Sequence, residues 1–315
     1  MKITRLAFLI ILLTYGLIVF GGYVASSESG MGCGPEWPLC NGEVVPILEG
    51  ETLIEFAHRV IGAILAILAV YLFIKILSTN RESKVRAAAW WIILLLIVQI
   101  LLGAVVVVLD LPSIVVTAHL LIAMVFLSAL IYIWKNAYDE ESSPRLFYSG
   151  SLSEKKQKSA GKHLNFLLIL LILILAIGAY IKHESYGLAC GWFACVESIG
   201  PNSVPELLQT IHRVLAVMST IYIFILLFLA FSKNWGASLQ KRLIIILLTV
   251  LLQLVIGVFT VISYLEVPLA VLHLAIGTAL FAFVFEARVC LGPQIEVTSL
   301  SEMASKKRNS QYENL

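Results

Sequence analysis

Four histidines in apolar segments form two pairs that repeat along the chain. His58 and His212 are 154 residues apart, and so are His119 and His273. Further positions share this offset: Gln99 with Gln253, and Gly103 with Gly257. Neutral imidazole is the commonest metal ligand among protein side chains. The sequence therefore predicts an internal duplication in which each half carries one histidine pair.

One half has an acid where the other half has an amide. Glu55 precedes His58 by three residues, so the two side chains share a helix face about one turn apart. The counterpart of Glu55 is Gln209, which cannot accept a proton. A carboxylate here could act as a general base, stabilise positive charge or orient water; alternatively, it could be an acid favourably placed against the helix dipole. This asymmetry predicts that the reaction takes place in the N-terminal half.

The composition is that of an integral membrane protein. Hydrophobic residues make up 60% of the 315 residues and charged residues 13%, whereas soluble domains usually carry about 25% charged residues. A helix needs about 20 apolar residues to cross the bilayer core. Eight segments are predicted to span it: residues 6–25, 53–76, 87–108, 113–135, 164–182, 205–232, 241–262 and 267–289.

Basic residues predict how these spans are oriented. If the N-terminus is cytoplasmic, all but three of the 22 Lys and Arg lie inside, as the positive-inside rule requires. The exceptions are Lys182, Arg59 and Arg213. We therefore expect both termini in the cytoplasm, with the histidines and most cysteines toward the outer face. The net charge of +2 gives no indication of nucleic-acid binding.

The expected fold is an all-α membrane protein with eight transmembrane helices. Two pseudo-symmetric four-helix bundles would form a parallel repeat, related by an axis along the membrane normal. Residues 1–135 are the predicted N-terminal half and residues 164–290 the C-terminal half. Polar residues 136–163 are predicted to be a cytoplasmic linker, and residues 291–315 a cytoplasmic tail.

The four histidines are expected to lie in one layer. Each even-numbered span carries one histidine roughly 8 to 10 Å below its outer end, at a rise of about 1.5 Å per residue. Polar side chains inside a bilayer usually face a bundle interior, where they have a partner. Two imidazoles at equal depth on facing helices can ligate a heme iron from both sides. The repeat predicts two hemes, with the permanent one in the C-terminal half.

Two other interpretations of these histidines stay open. The histidines could instead bind zinc, although zinc prefers four donor atoms gathered at one point, and its ligands often include thiolates or carboxylates. A histidine in an apolar helix could also be a hydrogen-bonded core residue. The repetition of complete pairs favours heme ligation over both.

An arginine directly follows the first histidine of each pair. Arg59 and Arg213 are each about 100° round the helix from that histidine, at nearly the same depth. A guanidinium there could bind a carboxylate, such as a heme propionate, through paired hydrogen bonds. The alternative is an arginine that snorkels to the outer interface. Because both arginines follow histidines, the propionate interpretation is favoured.

Four cysteines lie in the two long loops on the predicted outer side. Cys33 and Cys40 are in the first loop, and Cys190 and Cys195 are in the second. That side is oxidising in a bacterial cell, so each pair could form a short local disulfide. Thiols that take part in redox chemistry or cofactor delivery are the alternative.

Together these features resemble the bacterial heme A synthases, the cytochrome oxidase assembly proteins that convert heme O to heme A. The resemblance covers nearly the whole chain except the linker and the tail. It is carried by Gly21-Gly22, the segment 28–42 with its Trp-Pro-Leu-Cys-Asn-Gly motif, the Glu-Phe-Ala-His-Arg motif at 55–59, and the histidines 119, 212 and 273.

The resemblance implies an oxidoreductase of the bacterial inner membrane. It implies that a methyl group of the porphyrin ring is oxidised to a formyl group by successive hydroxylations, with oxygen drawn from water. In this family His58 and His119 would face the heme O substrate and form the catalytic site with Glu55, and Arg59 would bind the same heme.

The resemblance also implies a resident cofactor in the C-terminal half. His212 and His273 would bind a heme b, with Arg213 near a propionate. The family pairs its loop cysteines, which implies the disulfides Cys33–Cys40 and Cys190–Cys195.

The implied partners are heme O and the farnesyl-transferring heme O synthase that makes it. The electron acceptor is not identified, because the chain has no flavin, nicotinamide or iron-sulfur motif. The oligomeric state is likewise open, a homo-oligomer included. Two other functions stay open: a diheme cytochrome that transfers electrons through two bis-histidine hemes, and a heme carrier that leaves the porphyrin unchanged. A carrier should tolerate the loss of Glu55.

Overall fold

The part of the chain that the structure describes is all helical apart from turns and loops. The computed structural model describes residues 2–79, 82–137, 152–191 and 203–291. Every long helix there is long and apolar enough to cross a membrane. This confirms the eight predicted spans and a multi-pass membrane protein. The helices are α1 (Ile3–Ser26), α2 (Gly50–Thr79), α3 (Ser83–Val108), α4 (Ser113–Asn136), α5 (Glu154–His183), α6 (Val204–Ser232), α7 (Ala237–Ile262) and α8 (Val267–Val289).

The fifth helix begins well before its apolar stretch. The predicted span was 164–182, whereas α5 begins at Glu154. The intervening residues are mostly Lys, Glu, Gln and Ala, which favour a helix even where they leave the apolar layer. The end of the predicted linker is therefore helical. Linker residues 138–151 and tail residues 292–315 lie outside the described residues.

Contacts between the helices place α2 opposite α4, and α6 opposite α8. Helix α1 contacts both α2 and α4, and α3 contacts the same two helices. Helices α5 and α7 contact α6 and α8 in the same way. The inner helices α1, α4, α5 and α8 also contact one another. The helices that carry the predicted histidine pairs thus face each other diagonally across a bundle interior.

Helix α4 packs on two faces. Phe126 and Leu130 belong to the apolar core shared with α1, α2 and α3. Met124 and Leu127 belong to the core shared with α5, α6, α7 and α8. At 3.6 residues per turn, Met124 and Phe126 lie on nearly opposite sides of α4, so the helix contacts both cores. The outermost apolar side chains are instead exposed, and in a bilayer they contact lipid.

The two halves use the same turn between their last two helices. In the α3–α4 turn, Asp110 and Leu111 have φ values of 60° and 57°. In the α7–α8 turn, Tyr264 and Leu265 have values of 57° and 65°. Left-handed backbone is uncommon for residues other than glycine, and here two consecutive residues adopt it at positions that the 154-residue offset relates. The repeat therefore extends to backbone conformation, even at the position where one half has Asp110 and the other has Tyr264.

A group of charged residues connects the two halves on the side of the protein where α1 begins. Glu286 of α8 accepts hydrogen bonds from Arg242 of α7 at 2.8 and 3.2 Å, and Lys135 of α4 lies 2.6 Å from the same carboxylate. Next to them is Cys290, a free thiol. Burial and the adjacent Glu286 raise the pKa of that thiol to about 11, so it stays protonated and unreactive at neutral pH.

We expect Glu286→Gln to destabilise the fold markedly. Loss of the carboxylate would remove the one anion that two partly buried cations share here, and breaking a buried ion pair costs about 3 kcal/mol. Thermal unfolding of the detergent-solubilised protein measures the effect. The matched control is Glu154→Gln, because Glu154 pairs with Lys158 where both side chains are more than 70% exposed. Equal unfolding temperatures for the two variants would contradict a role of Glu286 in joining α4 to α8.

Candidate functional site

The four repeated histidines lie at matching positions in their helices. His58 is in α2, His119 in α4, His212 in α6 and His273 in α8. Each is about two turns from the helix start. We call this side of the protein the loop side, because α1 ends there and the disulfide loop before α2 lies there.

The histidines of each pair face each other across a bundle interior. Helices α2 and α4 both contact α1 and α3, and helices α6 and α8 both contact α5 and α7. His58 and His119 are close enough to interact electrostatically, as are His212 and His273. The structure therefore brings together the two pairs that the sequence predicted.

The ring nitrogens of these histidines fit axial ligation of a heme. The Nδ1 atoms of His58, His119 and His273 are buried without a hydrogen-bond partner, which is rare for a buried polar atom. His212 Nδ1 lies 3.2 Å from the carbonyl oxygen of Ile174, a contact of the kind that orients an imidazole ligand. Neutral imidazoles facing each other in pairs have the chemistry that heme iron requires.

The zinc alternative finds no support in the described residues. Among them, no group of three or more His, Cys, Asp or Glu side chains converges on a point where a metal ion could bind. Structural zinc sites need about four such donors. The pairwise arrangement favours a planar group between two histidines.

Two glutamines contact the histidines on the inner helices. Gln99 Nε2 lies 3.1 Å from His119 Nε2, and Gln253 Nε2 lies 3.3 Å from His273 Nε2. Their shared 154-residue offset was the signal for a common role, but sequence could not show that α3 and α7 turn these amides toward imidazoles.

Glu55 is buried and fixed by three hydrogen bonds. It is 4% exposed. Its Oε2 atom accepts the backbone N–H of Cys33 at 2.7 Å, and Oε1 accepts Arg59 Nε at 3.1 Å and Nη2 at 2.5 Å. Arg59 Nη1 also donates to the carbonyl of Leu39 at 2.8 Å. Glu55 and Arg59 thus attach the first loop to the start of α2, and the propionate role of Arg59 stays a prediction.

The second half repeats this arrangement with an amide. Gln209 Oε1 accepts Arg213 Nη2 at 3.0 Å, and Arg213 Nη1 donates to the carbonyl of Gly191 at 2.8 Å. Gln209 Nε2 donates to the carbonyl of Tyr186 at 2.7 Å. The first loop offers Glu55 an N–H group, and the second loop offers Gln209 a carbonyl. The acid and the amide therefore each match the backbone group that they meet.

The first loop is closed by a disulfide. Cys33 and Cys40 are bonded to each other and buried, which confirms that prediction. Cys190 is also disulfide-bonded, and its expected partner Cys195 lies outside the described residues. Because Glu55 binds the N–H of Cys33, the disulfide loop and the candidate catalytic acid are directly connected.

One histidine outside the pairs packs among aromatic side chains. The Nδ1 atom of His163 lies 2.8 Å from the Tyr222 hydroxyl, and its ring packs near Trp235. It lies in the first part of α5, far from the loop side. It therefore does not belong to the candidate site.

Comparison with known proteins agrees with this geometry. Residues 4–285 match the family described as cytochrome oxidase assembly protein. The chain is 31% identical over 320 residues to a heme A synthase of Bacillus cereus strain G9842, covering 97% of this chain and 96% of the relative. It is 30% identical over 278 residues to a heme A synthase of Bacillus licheniformis, covering 84% and 88%, and 26% identical over 283 residues to one of an Exiguobacterium strain, covering 88% and 90%. The chain belongs to the cytochrome oxidase assembly protein family.

Proposed function

We propose that this protein makes heme A by oxidising a ring methyl group of heme O to a formyl group, for cytochrome oxidase biogenesis. One observation carries the proposal: two matched histidine pairs differ in that Glu55 lies beside one pair and Gln209 beside the other. His58 and His119 then hold the substrate heme. Family membership and the heme A synthase relatives support the same activity.

The overall reaction balances with water as the oxygen source. Water adds to the methyl carbon to give a hydroxymethyl group, and a second water gives a hydrate, each addition releasing two electrons and two protons. The hydrate then loses one water to leave the formyl group. In total four electrons and four protons depart, and the electrons must reach an acceptor that this chain does not identify.

Glu55 is suited to bind the attacking water. A carboxylate has about four acceptor positions, and three are used by Cys33 N–H and Arg59. The remaining position is on Oε2, which accepts one hydrogen bond where Oε1 accepts two. Because both oxygens are held, the carboxylate can orient a water and receive its proton without reorganising.

The C-terminal pair is suited to hold a resident heme b. When bound there, heme b would supply one-electron redox chemistry. His212 and His273 would hold it, and Arg213 would bind a propionate. Gln209 cannot take a proton, so this half has no base next to its histidines.

The two rival functions make different demands on Glu55. A diheme cytochrome and a heme carrier both need the histidines, but neither needs a proton acceptor beside one pair. Both rivals would release heme O unchanged. The conversion of heme O therefore separates them from an oxidase.

We expect Glu55→Gln to lower the yield of formyl-bearing heme at least about 100-fold, because an amide cannot accept a proton and general bases contribute roughly 10²- to 10⁴-fold to rates. Cells that express the chain with a source of heme O supply the pigments, which are extracted and separated. Glu51→Gln, an exposed acid in the first turn of the same helix, is the control and should keep native yield. Undiminished product in Glu55→Gln would remove Glu55 from the reaction, and Glu55→Ala should behave like Glu55→Gln.

We expect His212→Ala to strip the tightly bound b-type heme, because the iron loses one axial ligand. Reduced-minus-oxidised absorbance spectra of the purified protein report the loss. His163→Ala is the matched control, since His163 lies in a helix of the same half but far from the loop side, and it should keep the spectrum. An intact b-type spectrum in purified His212→Ala would refute the assignment of the cofactor to this half.

A further inference from the structure

We propose that four glycines, one on each odd-numbered helix, are positioning residues for the heme-ligating imidazoles. The inference rests on the proposed function, because it concerns the same histidines. Each glycine lets the backbone of one helix meet the ring of a histidine on the next. The pairs are Gly21 with His58, Gly103 with His119, Gly178 with His212, and Gly257 with His273.

In the C-terminal half, the distances leave no room for a side chain larger than hydrogen unless the imidazole moves. A Cβ atom at Gly178 would lie 2.8 Å from Cε1 of His212, and one at Gly257 would lie 2.9 Å from Cε1 of His273. Carbon atoms in favourable contact are about 3.5 to 4.0 Å apart. An alanine at either position would therefore push the imidazole away from the helix.

The same contact recurs in the N-terminal half with slightly more room. A Cβ atom would lie 3.1 Å from His58 Cε1 at Gly21, and 3.3 Å from His119 Cε1 at Gly103. In all four cases the nearest atom is Cε1, the carbon between the two ring nitrogens. Contact at this edge restricts how the ring can turn, and so fixes where its nitrogens point.

The identity of the neighbour distinguishes these four glycines. At each of them the nearest atoms to an added Cβ belong to the histidine ring. Gly16 meets nothing within 4 Å, and Gly62 meets only one Leu17 atom at 3.9 Å. Gly22 and Gly277 are also close to side chains of other helices, but their nearest neighbours are not histidines.

For three of the four glycines, the residue four positions earlier in the same helix also contacts the histidine ring. Gln99 and Gln253 precede Gly103 and Gly257 by four residues and reach the Nε2 atoms of His119 and His273. In α5 the carbonyl of Ile174, four residues before Gly178, faces His212 Nδ1. Residues four apart share one helix face. The helix face thus holds each of these rings at an edge and at a nitrogen.

The difference between the halves matches the difference between a cofactor and a substrate. The rings of the C-terminal pair are more tightly confined, at 2.8 and 2.9 Å, than those of the N-terminal pair, at 3.1 and 3.3 Å. A permanent heme benefits from ligands that cannot turn, whereas a substrate must enter and leave. Alanine should therefore disturb the resident heme more than the substrate heme.

The test compares alanine variants of the purified holoprotein. We expect Gly178→Ala and Gly257→Ala to lose at least about fivefold in heme b per chain, or to shift the g-values of the low-spin ferric signal in electron paramagnetic resonance. Those values respond to the relative orientation of the two axial imidazoles, which a purely structural defect would not change. Gly16→Ala and Gly62→Ala are the controls and should keep the native heme content and signal.

Each outcome decides the inference. Native heme content and g-values in folded Gly178→Ala and Gly257→Ala would overturn it. If neither variant accumulates, Gly21→Ala and Gly103→Ala replace them, with Gly16→Ala as the control. The absorbance spectrum of added heme O is then measured for each variant, and a spectrum like that of the control in both would also overturn the inference. Failure of the proposed function looks different, because cells that express the native protein would then return heme O without any formyl-bearing heme, whatever the glycine variants do to heme content and g-values.

Discussion

Four imidazoles inside an apolar bundle need partners, and this requirement governs the architecture around them. An unpaired polar group in the bilayer core is costly, so the histidines turn inward rather than toward lipid. Helices α2 and α4, which carry one pair, both contact α1 and α3, and helices α6 and α8, which carry the other, both contact α5 and α7. The remaining helices contribute glycines and glutamines that bring the ring edges and nitrogens into defined positions.

A structural contact, as well as the proposed chemistry, explains why Glu55 is an acid beside the first histidine pair. Glu55 accepts an N–H group from the disulfide loop, whereas Gln209 donates to a carbonyl of the second loop. The N-terminal half therefore carries a carboxylate that is buried, fixed on both oxygens and joined to Arg59. Its repeat copy conserves the geometry with a neutral side chain. A duplication of one bundle could in this way yield one reactive and one resident heme site.

The fold was largely predictable because the bilayer simplifies the problem. Long apolar segments must be helices that satisfy their own backbone hydrogen bonds, and all eight were found at nearly the predicted bounds. The exception was the start of α5, where Glu154 to His163 are too polar to count as a span but readily extend a helix. Hydropathy detects the apolar layer and not the full length of the helix. The disulfide between Cys33 and Cys40 was also expected, because both cysteines lie in one loop on the predicted oxidising side and because the family pairs its loop cysteines.

The sequence by itself determined the eight spans, the duplication, the two histidine pairs and the replacement of Glu55 by Gln209. Each of these is a matter of residue type and spacing along one chain. Only the tertiary structure decided that Arg59 binds Glu55 and the Leu39 carbonyl, that Gln99 reaches His119, and that Gly178 faces His212. Spacing shows which residues share a helix face, but not which neighbouring helix that face meets. That choice depends on how the helices pack, and packing joins residues far apart in the chain.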